Sequence, residues 1–96
     1  MTQQRTNKRH AQRSKLAANF ARRCRRNLLI EVVRSMDAGE GDFDVKAFVE
    51  HDASWEGYSA NHDLHYPTAP KLEEHEVAQV RKATIDYYYS VHTILH

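Results

Sequence analysis

At 96 residues the chain has room for one domain. Its 41% of hydrophobic residues suffices for a small core, and the single cysteine, Cys24, excludes an internal disulfide framework. The net charge of +1 conceals a division: ten basic residues meet one acid, Glu31, up to residue 35, whereas four meet twelve over residues 36–96. We therefore read residues 1–96 as a single domain with a basic helical arm (1–35) and an acidic helical body (36–96). Two readings of this asymmetry stand: a basic arm for an anionic partner, or two halves that neutralise each other across the fold.

Residues 8–36 read as the first helix. They contain no Pro or Gly and are rich in Ala, Arg, Leu and Lys. Leu16, Phe20, Cys24, Leu28 and Val32 recur every four residues as an apolar stripe. Beyond Leu28 the apolar residues spread around the helix, so this end is expected to be the best buried. Gly39 suits the C-terminal cap. A short helix follows, with Asp44 as N-cap and Phe43 and Phe48 spaced as a hydrophobic staple. It is expected to end near Asp52.

Residues 52–69 read as an ordered loop or a broken helix, with Trp55, Tyr58, Leu64 and Tyr66 showing no period. Pro67 and Pro70 mark a rigid boundary. Residues 70–95 read as the last helix, with Glu73, Glu74 and Glu76 favourable in its first turns. Val77, Val80, Thr84, Tyr87, Val91 and Ile94 are spaced 3, 4, 3, 4, 3, which calls for a packed helical neighbour. Tyr87 is accordingly expected to be buried against the first helix, with a truncation cost of roughly 3–5 kcal/mol. The expected fold is all-α: a small three-helix unit with two long antiparallel helices and a short middle helix.

No apolar run approaches the roughly 18 residues needed to span a bilayer. The N-terminus is polar and basic rather than signal-like. A cytoplasmic location without membrane contact is the expectation.

At about 100° per residue, Lys8, Lys15, Arg22 and Arg26 align on one side of the first helix, with Arg5 and Arg23 flanking them. Leu16, Phe20 and Cys24 point elsewhere, so one face is available for phosphates while another packs. Arginine outnumbers lysine eight to two in this segment and suits bidentate phosphate contact. The candidate nucleic-acid-binding residues are Lys8, Arg9, Arg13, Lys15, Arg22, Arg23 and Arg26. The run Lys8-Arg9-His10-Ala11-Gln12-Arg13-Ser14-Lys15-Leu16-Ala17 resembles the arginine-rich RNA-binding motif of the lambdoid phage N antitermination proteins. That resemblance implies a short basic helix gripping an RNA hairpin. It covers about ten residues, and the acidic, tyrosine-rich C-terminal helix has no counterpart in those proteins.

Seven histidines are present, of which His62 and His65 have the spacing to share a metal on one helical turn. A structural zinc needs four ligands and Cys24 is the sole thiol, so neither metal nor cofactor is expected. His51, Asp52 and Ser54 are the residue types of a hydrolase triad, but within four residues they cannot converge on a substrate. No nucleotide-binding or zinc-protease motif occurs, so the chain is expected not to be an enzyme. Tyr66, Pro67 and Pro70 in the stiffened loop, with an outward-pointing Tyr89, are the candidate partner-binding residues.

The expected function is a small, non-enzymatic, phage-like accessory protein that binds nucleic acid, RNA or DNA, through the basic helix. The alternative is a modulator that docks on a host nucleic-acid machine: a recombination nuclease of the RecBCD type, a transcription complex or a CRISPR effector. A homo-oligomer held by the C-terminal helix is a third reading.

Overall fold

The computed structural model describes the backbone of residues 2–39, 41 and 43–95, and side chains over 11–39, 41 and 43–91. It is all-α, with helices α1 (Thr2–Asp37), α2 (Val45–Asp52), α3 (Trp55–His65) and α4 (Glu74–Leu95). Two long helices, α1 and α4, enclose a shorter middle unit in which α2 and α3 form the two arms of one bent helix. No strand occurs among the described residues. At 1.5 Å per residue α1 alone is about 54 Å long, which matches the molecule's longest dimension of 56 Å.

Local chemistry explains each boundary. α1 stops where Gly39 adopts φ +70° and its N–H bonds the Met36 carbonyl at 3.1 Å, a backbone state that favours glycine. Asp44 caps α2 by accepting from the Ala47 N–H at 3.0 Å. The Phe43 and Phe48 rings close the expected staple with centroids 5.7 Å apart. Ser54 starts α3 by accepting from the Gly57 N–H at 3.1 Å. A Cβ at Gly57 would sit 2.9 Å from that hydroxyl, so glycine keeps the cap unobstructed. Of the segment read as a loop or a broken helix, residues 55–65 form the capped second arm of the bent helix, and residues 66–69 lie outside it. α4 begins later than residue 70: the Glu76 carboxylate reaches back to the Glu73 N–H at 2.9 Å, half of a capping box.

The stripe on α1 packs as read. Phe20, Cys24 and Leu28 are buried, and Leu16 and Val32 pack against them. Val45 and Val49 of α2, Ala53, Leu72, and Val77 and Val80 of α4 complete the core. Thr84 is also buried and satisfies its hydroxyl by donating to the Val80 carbonyl at 2.8 Å.

Three expectations are corrected. First, the long helices run parallel. Arg13 meets Glu76 near the start of α4, and twelve residues on, Arg25 lies 5.6 Å from the ring of Tyr87. The middle unit reverses the chain instead. As it advances through Asp52, Tyr58 and Lys71, its partners on α1 recede through Asn27, Phe20 and Arg13. One returning element between two long helices leaves those two co-directional.

Second, Tyr87 is 39% exposed, while Ile85 and Tyr88 pack on the core. A straight α-helix drifts about 20° per heptad from a 3.5-residue repeat, so the buried line passes from Thr84 to Tyr88. Third, the far end of α1 is not the best buried. Leu29, Ile30, Val33 and Met36 are 43, 58, 57 and 73% exposed. The body covers only the Leu28, Val32 and Ser35 side of that end.

Leu28→Ala should therefore cost about 2–5 kcal/mol in urea unfolding, and Tyr87→Ala less than half as much. Equal losses would place the α1–α4 interface wrongly. Burial, with a smaller contribution from Asp52, pushes the Cys24 thiol up to about 12. It should resist a thiol reagent near pH 8 until the chain unfolds, and prompt labelling of the folded protein would contradict the core.

Candidate nucleic-acid interface

The basic arm packs on the acidic body through apolar side chains, and few charge contacts join the two. Among the described residues, one ion pair joins them: Arg13 with Glu76. Arg13 also donates to the Lys71 carbonyl at 3.3 Å. Arg34 pairs with Glu31 on its own helix. Arg25 rests on the Tyr87 ring. Lys15, Arg22, Arg23 and Arg26 are exposed and have no acidic partner among the described residues. Neutralisation across the fold therefore accounts for Arg13 and leaves the other four cations facing solvent.

Arg13 is a structural cation rather than an open one. Its guanidinium, and next the Glu73 N–H, hold the Glu76 carboxyl below its ordinary value. The same carboxylate caps α4, so one side chain fixes both where α4 starts and how it seats on α1. The side chains of Lys8 and Arg9 lie outside the described residues.

The remaining candidates fall into two groups. Arg22 and Arg26 continue along the solvent face of α1, on the same side as Lys15. Lys15 and Arg23 instead border two adjoining cavities between α1 and the 66–73 segment, of about 600 and 370 Å³. Leu16, Asn19 and Pro70 line both. Tyr66 lines the smaller one, so basic and loop candidates come together there. Pro67 is exposed nearby in sequence and lines neither cavity. Tyr89 is exposed as expected. It lies fifteen residues into α4, roughly 22 Å from its start, and shares no surface with the loop.

Four side chains pin the wall opposite α1. The His62 ring nitrogen Nε2 bonds the Pro70 carbonyl at 3.0 Å, and the Leu72 N–H donates to the Tyr58 hydroxyl at 2.8 Å. The Lys71 ammonium bonds Asp63 at 3.0 Å and lies 5.3 Å from the Trp55 ring centroid. Trp55, Tyr58, His62 and Tyr66 form a ladder of rings with successive centroids 6.0, 6.0 and 6.3 Å apart. Their 3, 4, 4 spacing is helical. It escapes a reading that treats His62 as a ligand candidate and seeks the period through Leu64 instead. The amides of Asn19 and Asn61 at the cavity rim were also missed, because isolated asparagines carry no periodic signal.

His62 is buried with Nε2 committed to Pro70, so it acts as a wall of the cavity. Within His51-Asp52-Ala53-Ser54, Asp52 accepts from the Asn27 amide of α1 at 3.5 Å and Ser54 caps α3, so both have structural roles. Glu73, His75 and Glu76 place ligand atoms within 4.8 Å of one another, with Glu76 already held by Arg13. No helix among the described residues is long and apolar enough to cross a membrane.

A carboxyl with a lowered folded value stabilises the fold above its unfolded value, and that contribution fades as pH falls through the folded one. Glu76 should thus add to stability above about pH 4.5, its ordinary value, and cease to do so in acid. Glu76→Gln should flatten the acid limb of a thermal-stability profile, and an unchanged limb would remove Glu76 from this role. No protein-family model, curated protein or solved structure matches this chain.

Proposed function

We propose that this chain is a small non-enzymatic accessory protein that binds nucleic acid through the solvent face of α1. One observation carries the reading: Lys15, Arg22, Arg23 and Arg26 project from a rigid helix with no acidic partner among the described residues. Lys15 to Arg26 spans roughly 16 Å of helix axis, long enough to meet several successive phosphates. The helix is held by its other face, so phosphate contact requires no rearrangement of the core.

A second reading, docking on a protein machine that handles nucleic acid, is favoured by the exposed Leu29, Ile30, Val33 and Met36. Leu29, Val33 and Met36 share a sector of about 80° with Lys15, Arg22 and Arg26. Exposed apolar clusters of this kind mark protein contacts. Co-purification that survives nuclease treatment, and is lost in Val33→Glu, is the outcome expected of that reading.

The nucleic-acid reading is tested by fluorescence anisotropy across a salt series. Changing Lys15, Arg22 and Arg26 to Gln should leave helical dichroism intact, since Gln is also a good helix former. It should lower the slope of log affinity against log salt by about one unit per lost phosphate contact, somewhat less for single strands. A folded triple variant that binds as tightly as wild type removes this face as the site. A wild-type protein that binds no nucleic acid at low salt ends the reading.

A further inference from the structure

We infer that the smaller cavity, between α1 and α3, receives an unstacked base from single-stranded nucleic acid. The inference rests on the nucleic-acid reading of α1 and specifies what that surface selects. The cavity, about 370 Å³, falls within the ~300–1,000 Å³ range of small-ligand sites. Its floor is apolar and aromatic: Phe20 is buried beneath it and the Tyr58 ring lies 4.9 Å from Phe20. At its mouth Tyr66 is 59% exposed, a large flat ring left open to solvent on a pinned segment.

The polar groups around this floor suit a heterocycle. Asn19 and Asn61 line the cavity from opposite helices, and neither side-chain amide has a protein partner among the described residues. Each amide offers a donor and an acceptor, the complement of a base edge. Arg23 supplies a cation at the rim, and no carboxylate lines the cavity. Lys15 borders the adjoining cavity, while Arg22 and Arg26 lie about 100° and 60° around α1 from Arg23, so a strand leaving the cavity meets cations at once. Aromatic platforms beside a basic track are the means by which single strands are held. In a duplex the faces of the bases are stacked on one another and unavailable to Tyr66.

The test uses the full chain with 15-nucleotide oligo-dT and oligo-rU, each also carrying one 2-aminopurine, and a DNA duplex of the same length. Wild type should bind single strands at least tenfold more tightly than duplex, with a change in 2-aminopurine fluorescence on binding. Tyr66→Leu should weaken single-strand binding roughly tenfold, the size of one lost base stack. Its salt slope should not change, because no phosphate contact is removed. Asn19→Ala, at an exposed helical position, should weaken the same strands and spare the duplex. It decides the question should Tyr66→Leu lose its helical dichroism. Equal affinity for duplex and single strand, or unweakened binding by both variants, overturns the base site and leaves the α1 reading standing. Absence of binding to every probe at low salt overturns both. The oligo-dT and oligo-rU arms distinguish DNA from RNA.

Discussion

A helix as long as the whole molecule is covered along one stripe, and the rest of the structure follows from that constraint. Phe20, Cys24 and Leu28 must leave water, and each large side chain so buried is worth about 1.5–3 kcal/mol. α2 and α4 contribute the cover from one side, together with Leu72. Packing in a single direction leaves α1 with a continuous solvent face. On that face the sequence changes from basic to apolar near residue 28, with no break in the helix that carries it.

The two ends of the molecule are consequently built by different chemistry. At the end where α4 begins, hydrogen bonds and ion pairs dominate. Glu76 serves α4 and Arg13 together, and residues 70–72 are held by His62, Tyr58, Asp63 and Arg13. These contacts lock an irregular segment that would otherwise leave polar backbone groups unpaired beside a core. At the other end, apolar side chains beyond Leu28 outnumber the positions that α2 and α4 can cover. A pre-organised groove with a basic rim and an uncovered apolar ridge therefore share one helix, and each suits a different class of contact.

The helices were legible where local rules act alone. The cap at Asp44, the staple at Phe43 and Phe48, the turn at Gly39 and the four-residue stripe on α1 depend on neighbours in sequence. Helix direction was not legible, because it depends on how many elements return between two long ones, and residues 52–69 gave no period until His62 is counted as a ring. Tyr87 misled because 3, 4, 3, 4 spacing fits a supercoiled pair, whereas these helices follow the 3.6-residue repeat. Of the candidate site, the open cations Lys15, Arg22, Arg23 and Arg26 were visible as a charge pattern. That Arg13 would be consumed internally was not, since Glu76 lies 63 residues away.

The co-directional order of α1 and α4 has a consequence for assembly. Each contact between them closes a chain segment of some sixty residues, as the Arg13–Glu76 separation of 63 illustrates. Contacts of α1 with the middle unit span less, 25 residues between Asn27 and Asp52. Loop-closure entropy rises with the logarithm of length, so α1 and the middle unit meet at lower entropic cost than α1 and α4. Local contacts therefore favour an α1–α2–α3 nucleus on which α4 docks late. Until it docks, the core that Phe20, Cys24 and Leu28 share with Val45 and Val49 lacks Val77 and Val80, so α4 completes an interior that the earlier helices only begin.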